Sequence, residues 1–368
     1  MITSSDALHD LVEKARLTNS VAIDTEFVWT KTYLPRLGLI QLALSDEECY
    51  LLDPLAVEDL SPFGELLADP SVVKILHDAP QDLAILHSAT GYIPKNIFDT
   101  RLAAGFAGLT ATLSLGNLIQ ELLDITLSKT ETRTDWLKRP LDQEQILYAL
   151  DDVRYLRAAR IILINRIIGP EIKSWLQEEL DLLNDPKNYN GLTAHTRYKR
   201  IRGSKGLESI ELAILRELVI WRELTAKKIN RPRGHVVKDS DLLEISRKKT
   251  TSIEQLQEKT PLSARTIERW GENLVAAVHA GLTCPVEKRP QKEQSMRLST
   301  KNSQMLERLN EFIQLKSQMQ GIDPMLIGNG SELKKLVKIL NKSHKSELVR
   351  QMEGWRKTFL NDFFRYAV

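Results

Sequence analysis

The chain reads as an α/β layer module followed by two all-α modules, and three observations predict it. Strand-like apolar runs are confined to the stretch before Leu76, helical spacing governs the chain after it, and two polar stretches interrupt that helical pattern. Residues 20–27, 37–44 and 48–52 form three successive antiparallel strands, with a turn signal at Tyr33-Leu-Pro-Arg36 and the acidic Ser45-Asp-Glu47 between the last two. Residues 72–76 supply a further short strand. Leu83, Leu102, the run 115–123 and the long stretch 142–168 then carry helical patterns.

Residues 184–206 are rich in Asn, Pro, Tyr, Gly and basic side chains and read as a linker. The helical module that follows, 207–282, opens with Ile210, Leu212, Leu215, Leu218, Val219 and Leu224 at helical spacing. A second polar linker, 283–300 with Pro285 and Pro290, precedes a last helical module over 299–368.

Composition bounds the function. The chain has 368 residues, 42% of them hydrophobic, enough apolar material for two or three packed domains. Cys49 and Cys284 are its only cysteines, which excludes a disulfide framework and a cysteine-built zinc cluster and fits a reducing cytoplasm. No stretch approaches the roughly 20 apolar residues of a membrane span, and the N-terminus, with Asp6 and Asp10, lacks the apolar run of a secretion signal. A chain with no membrane partner and no obligate protein partner is expected. The net charge of +2 conceals a strong polarity: residues 1–190 hold 17 Lys+Arg against 29 Asp+Glu, a net of −12, and the rest holds 34 against 20, a net of +14. An acidic module is joined to a basic one.

The acids fall into a pattern. Asp24 and Glu26 in Val21-Ala-Ile-Asp-Thr-Glu-Phe27 are two residues apart in a strand, so both leave the same face, about 7 Å apart along the backbone, where a metal can bridge them. Unpaired acids inside an apolar run are costly to desolvate. Asp82 follows a strand end and Pro80, in the first turn of a helix, where an acid commonly only complements the helix dipole. Tyr148 and Asp152 are four residues apart on a helix and share a face, which is ordinarily a surface hydrogen bond. The constellation carries more than any member.

Asp24-Thr-Glu26, Asp82 and Tyr148-x-x-x-Asp152 resemble, in order and context, the DEDD exonucleases with tyrosine in the third motif. Leu39-Ile-Gln41-Leu, Asp99-Thr100 and Thr134-Asp-Trp136-Leu-Lys-Arg139-Pro140-Leu extend the resemblance to the ribonuclease D family over essentially all of residues 1–190. It implies a ribonuclease H-like α/β exonuclease domain that hydrolyses phosphodiesters from 3′ ends, releasing 5′-mononucleotides, with two divalent cations, Mg²⁺ or Mn²⁺, held by oxygen ligands. By resemblance, Asp24 bridges both ions, Glu26 and Asp152 complete the nucleophile side, Asp82 holds the other ion, and Tyr148 orients the attacking water. Asp151 stays in reserve for Asp152, because helical geometry alone does not separate them. His77, at a strand end, is left out as a structural hydrogen-bonding group.

Leu215-Arg-Glu-Leu-Val-Ile-Trp221-Arg222, Arg231-Pro232 and Val236-Val-Lys-Asp239 resemble an HRDC domain over 207–282, and Gly321-Ile-Asp-Pro324 with Gly354-Trp-Arg356 a second, divergent copy over 299–368. Trp221 and Trp355 are expected as core anchors rather than base-stacking platforms. Arg197, Lys199, Arg200 and Arg202, then Lys227, Lys228, Arg231 and Arg233, form two basic clusters that suit phosphates of a nucleic acid, although a solvated charge run has the same appearance. RNA, above all transfer RNA precursors, is the substrate the resemblance implies. A Werner-type DNA exonuclease shares the motifs, and a non-catalytic nucleic-acid-binding protein with a decayed site is the third reading.

Overall fold

The computed structural model describes residues 1–128, 134–189, 194–292, 298–341 and 348–366, for Tyr366 the backbone alone. The described residues within 1–27, 37–189 and 296–368 pack as one unit, and those within 28–36 and 190–295 as another.

The first unit is built on a five-stranded sheet of order β3-β2-β1-β4-β5, with β1 Ser20–Val28, β2 Arg36–Ala43, β3 Cys49–Leu52, β4 Val73–Leu76 and β5 Ile97–Asp99. β2 and β3 are antiparallel, Ile40 opposite Leu52 and Ala43 opposite Cys49, whereas β4 runs parallel to both β1 and β5. The sequence pattern anticipates β1 to β4 but not β5, whose three residues are too few to show a period.

Helices α1 (Ser5–Leu17), α2 (Ser61–Ala68), α3 (Pro80–Thr90), α4 (Thr100–Phe106), α5 (Leu115–Leu123), α6 (Gln143–Arg154), α7 (Leu156–Arg166) and α8 (Pro170–Leu182) accompany the sheet. Alternation along β1 decides where the acids go. Val21 and Ile23 enter a core with Leu8 and Leu11 of α1 and Phe63 and Leu66 of α2, whereas Ala22 enters a second core with Val153 of α6 and Leu156 of α7. Asp24 and Glu26 are in phase with Ala22 and therefore leave the sheet on the face that α6 and α7 cover.

The helical region 298–366, expected behind a linker as a module of its own, shares that second core. Leu309, Ile313, Leu336, Trp355 and Phe359 join Phe106 of α4 and Trp175 of α8. The Trp355 ring stacks on Trp175 at 5.2 Å between centroids and meets Phe106 edge-on at 5.2 Å. Glu179 of α8, 6% exposed, accepts from Trp355 Nε1 at 2.7 Å and Arg350 Nη2 at 2.6 Å, and pairs with the buried Arg356. Ile322 and Asp323 continue the seam, with Asp323 N donating to the Gly105 carbonyl at 2.8 Å. Such packing across a separation of 170 residues or more is invisible to local periodicity.

The second unit is helical: Ser209–Lys228, Asp239–Lys248, Ile253–Lys259 and Ala264–Leu282 surround Leu212, Leu215, Leu218, Leu242, Leu256 and Leu274. Gly281 permits the closest approach, since a Cβ there would lie 2.4 Å from Ile214 Cα. Leu224, expected on the apolar face, is 63% exposed. Trp355 is buried at 2%, while Trp221 is half-buried against the edge of Trp270. The predicted linker 184–206 is corrected over 194–206: the short helix Ala194–Arg197 and the turns Tyr198–Arg200 and Ser204–Gly206 bring Tyr198, Ile201 and Leu207 into this core. Three apolar residues scattered among basic ones gave no periodic signal. Residues 190–193 of that linker, and 293–297 of the second, lie outside the described residues. Among the described residues no helix is long and apolar enough to cross a membrane.

The Glu179 anchor is testable. Glu179→Ala leaves the Arg356 guanidinium, 3% exposed, without its counter-ion, and loss of such a partner is expected to destabilise by about 3–5 kcal/mol. Chemical denaturation measures this, and a change below ~1 kcal/mol would show that the seam is not held by this pair.

Candidate active site and metal centre

Three carboxylates meet where β1 faces α6. Oxygen atoms of Asp24, Glu26 and Asp152 all lie within 4.8 Å of one another. α6 is fixed at its start by a capping box: Gln145 N donates to Asp142 Oδ1 at 2.9 Å, and Asp142 N donates to Gln145 Oε1 at 3.0 Å. This end also sets the helical phase that presents Tyr148 and Asp152 together. Asp151 pairs with Arg154 Nε at 3.0 Å, whereas Asp152 is the one that lies in the close group with Asp24 and Glu26.

The cluster is electrically uncompensated. Burial, then the charges of Asp152 and Asp82, push Glu26 up to about 8. Burial, then Asp151, lifts Asp152 to about 7, against a hydrogen bond from Tyr148 that lowers it. Asp24 is raised well above the usual carboxylate range by burial and by Asp82, Asp152 and Glu26. Like charges held this close favour protons or a cation. The donor set is all carboxylate oxygen, which fits a hard divalent ion such as Mg²⁺ or Mn²⁺ and not a thiolate- or imidazole-seeking metal.

Asp82 stands outside the close group, but its charge reaches both Asp24 and Glu26. The turn before α3 fixes its position. Asp78 has a left-handed backbone, φ 61°, and Asp99 accepts from Asp78 N at 3.1 Å and Ala79 N at 3.0 Å while capping α4 through Arg101 N at 2.9 Å. Thr25, between the two acids of β1, donates its hydroxyl to Asp82. Burial raises Asp82 to about 6 despite that bond.

Tyr148 donates its phenol proton to Asp152. Burial, then the charges of Asp152, Glu26 and Asp24, push its ionisation far up, so it stays a neutral phenol. Beside it lies Trp136, 3% exposed, its ring 6.2 Å from that of Tyr148. Arg139 fastens the Trp136 segment: Nε and Nη2 grip Asp53 at 2.6 and 2.8 Å, Nη2 reaches the Gly38 carbonyl at 2.6 Å, and Nη1 the Trp136 carbonyl at 2.9 Å. Gly38 is required there, because a Cβ would lie 2.7 Å from the Trp136 carbonyl oxygen. Sequence reasoning missed Thr25 and Trp136 as parts of the site. The signal for each was its position within a quoted motif. His77 engages both ring nitrogens, with Thr100 Oγ1 at 2.9 Å and the Leu113 carbonyl at 3.0 Å, and is structural.

The basic clusters lie in the second unit. Lys199, Arg200, Arg202, Lys227, Lys228 and Arg231 are exposed. Arg197 and Arg233 are half-buried and converge instead on Glu223, at 3.2 and 2.6 Å. These two guanidinium groups are held by the fold's own carboxylate.

Comparison with known proteins places the chain in a family. Residues 1–168 match the family described as 3′-5′ exonuclease, and residues 211–278 match the HRDC domain. Ribonuclease D of Desulfotalea psychrophila is 51% identical over 365 residues, spanning 99% of this chain and 97% of that protein. Ribonuclease D of Escherichia coli is 35% identical over 293 residues, spanning 79% and 77%. The crystal structure of Escherichia coli RNase D, an exoribonuclease involved in structured RNA processing, superimposes with a TM-score of 0.86 at 30% identity, covering 99% of this chain and 97% of that one. The chain belongs to the ribonuclease D family.

Proposed function

We propose that this chain is a 3′-5′ exoribonuclease that removes nucleotides from RNA 3′ ends, transfer RNA precursors among them, by metal-dependent hydrolysis in the cytoplasm. The observation that carries it is the convergence of Asp24, Glu26 and Asp152, none of them in an ion pair with a basic side chain among the described residues, within a ribonuclease D relationship that spans nearly the whole chain. An intact carboxylate set also removes the ground for reading the chain as a decayed binding protein. Three sequence modules go with this reading: the exonuclease domain over 1–190, the HRDC domain over 207–282 and a second, divergent HRDC-like domain over 299–368. Helical content and the Gly321 and Gly354 motifs support the last, while the HRDC family match extends over 211–278.

Asp24, Glu26 and Asp152, with Asp82 beside them, would hold two divalent cations, Mg²⁺ or Mn²⁺, which when bound supply a nucleophilic hydroxide and stabilise charge on the leaving oxygen. Because the Tyr148 proton is committed to Asp152, the phenol oxygen is free to accept a hydrogen bond from a water and so aim it at the phosphorus; its raised ionisation makes it an orienting group and not a base. Trp136 holds that phenol in place from behind. The exposed basic residues of the second unit, Lys199, Arg200, Arg202, Lys227, Lys228 and Arg231, would bind RNA phosphates.

The direct test compares matched single-stranded RNA and DNA, each with free or blocked 3′ ends, before and after chelation. RNA with a free 3′ end is expected to be shortened one nucleotide at a time, to survive in excess chelator, and to be degraded again on adding Mg²⁺ or Mn²⁺. Preferred degradation of DNA would overturn the substrate assignment.

Asp24→Asn, Glu26→Gln, Asp82→Asn and Asp152→Asn are each expected to lower kcat at least a hundredfold with the fold retained, whereas Asp151→Asn, which loses an ion pair to Arg154 and a like charge beside Asp152 but no member of the close group, should stay within a few-fold of the parent. Steady-state kinetics with circular dichroism separates these outcomes. Equal loss from the Asp151 and Asp152 variants would refute the choice between them.

Trp136→Ala is expected to lower kcat roughly tenfold or more with a smaller change in KM, since it frees the Tyr148 ring without touching a carboxylate. Tyr148→Phe should then make the Trp136 substitution nearly silent. Additive losses in the double variant would show that Trp136 does not act through Tyr148.

The raised carboxylates fix the sign of a pH effect. A carboxyl group whose folded value lies above its unfolded one contributes stability that is full below the unfolded value and is lost as pH rises through the folded value. For Glu26 that window runs from its ordinary 4.5 to about 8. The metal-free protein is therefore expected to melt at falling temperature as pH rises across this range, less steeply in Glu26→Gln, and added Mg²⁺ should flatten the slope. Scanning calorimetry in chelator would contradict this if parent and variant showed the same pH dependence.

A further inference from the structure

A half-open cavity of about 360 Å³ lies within the second unit, lined by Arg197, Arg200, Arg222, Arg233, Lys238 and Asp239 among others. Its volume is at the small end of the range of about 300–1,000 Å³ typical of ligand pockets. Five of these six side chains are cationic, and the charges opposing them are few. Glu223, 4% exposed, accepts from Arg233 Nε at 2.6 and 2.8 Å and from the Tyr33 hydroxyl at 2.8 Å, and pairs with Arg197. Asp239 pairs with Arg222 Nη1 at 2.7 Å. Setting Glu223 and Asp239 against the five cations leaves three positive charges uncompensated around one small volume.

Arg222 is 2% exposed, and its Nη1 also donates to the Val237 carbonyl at 2.9 Å, yet its Nε has no hydrogen-bond partner among the described residues. That Nε is shielded inside the wall, so Arg222 contributes charge to the cavity as a fixed cation and not as a free donor. Arg200 and Lys238 are exposed at the lining and make no ion pair among the described residues. Arg233, stacked on the Tyr33 ring at 4.5 Å, is held rigid and so loses little freedom on binding. The ligand this suits is a small, multiply charged oxyanion able to accept from forked guanidinium donors, and a phosphate group has those properties.

We propose that this cavity is a phosphate-binding site that takes one backbone phosphate of an RNA strand, with Arg200 and Lys238 as its capturing cations. The proposal deepens the reading of the basic unit as RNA-binding and rests on it. It narrows two diffuse basic clusters to one built pocket, adds Arg222 and Lys238, and gives Arg197 and Arg233 the role of walls fixed by Glu223.

The test uses the full chain in excess chelator, so that no hydrolysis occurs, with fluorescence anisotropy of a labelled single-stranded RNA of roughly fifteen nucleotides across a salt series. Arg200→Gln with Lys238→Gln is expected to weaken binding roughly tenfold at low salt and to reduce the slope of log affinity against log salt by about 0.7, the amount for one phosphate on a single strand. Inorganic phosphate, at ionic strength matched with chloride, should compete with RNA on the parent and much less on this double variant. Melting temperature should be unchanged, because neither side chain supports the fold. If Lys227→Gln with Lys228→Gln weakens RNA binding while the cavity variant leaves affinity and slope intact, the basic unit binds RNA and the cavity assignment is wrong. If neither pair of substitutions alters affinity or slope, the RNA-binding reading of the basic clusters fails as well. Phosphate that competes equally on parent and cavity variant overturns the proposal too.

Discussion

Like charge forced together is the constraint on which the first unit depends. Two carboxylates, if both ionised, repel by about 3 kcal/mol at 4.8 Å and an effective dielectric constant near 20, and oxygen atoms of Asp24, Glu26 and Asp152 lie within that distance of one another. Side chains on flexible loops would move apart. These are held on β1 and α6, whose positions are fixed by apolar contacts on both faces of the sheet and by the Asp142–Gln145 capping box. Asp99 acts on the third element: by tying down the left-handed turn at Asp78, it settles where α3 begins and hence where Asp82 stands. The fold stores repulsion that a cation releases.

The helical region 298–366 belongs to that rigidity. Trp355 lies against Phe106 and Trp175, and Glu179 collects three donors from the same region, so α4 and α8 are braced by residues far along the chain. Charge follows the packing units more informatively than the order of the sequence. Residues 28–36 and 190–295 carry 23 Lys+Arg against 13 Asp+Glu, a net of +10, and the remainder carries 28 against 36, a net of −8. Part of the basic half of the sequence is thus fused to the acidic unit, and removing everything after residue 190 would strip the second core as well as the charge.

What the sequence discloses and what it hides divide along the range of the interactions. Strand alternation places Asp24 and Glu26 on one face, and helical spacing pairs Tyr148 with Asp152, because both are local consequences of backbone geometry. Asp151 against Asp152 is unreadable locally, since Asp151 pairs with Arg154 whereas Asp152 lies in the close group with Asp24 and Glu26. Trp136 reaches the site through Arg139, Asp53 and Gly38, three positions whose adjacency exists only once β2, β3 and the segment before α6 are assembled. The same holds in the basic unit, where runs of Lys and Arg look alike until Glu223 selects Arg197 and Arg233 as partners, while Arg200 and Lys238 make no ion pair among the described residues.

Energetics then separate the site from the buried carboxylates that hold ion pairs, without reference to any relative. Asp53 is gripped by Arg139, Glu179 by Trp355, Arg350 and Arg356, and Glu223 by Arg233 and the Tyr33 hydroxyl. Each is buried beside donors that compensate its charge, as a structural acid must be. Asp24 and Glu26 are instead raised by burial and by the neighbouring acids of the site, and Asp152 by burial and Asp151 against a hydrogen bond from Tyr148. A fold that satisfies its structural carboxylates this consistently and leaves three adjacent ones uncompensated has a use for the difference, and the deficit of positive charge at that point is the measure of what the site is built to bind.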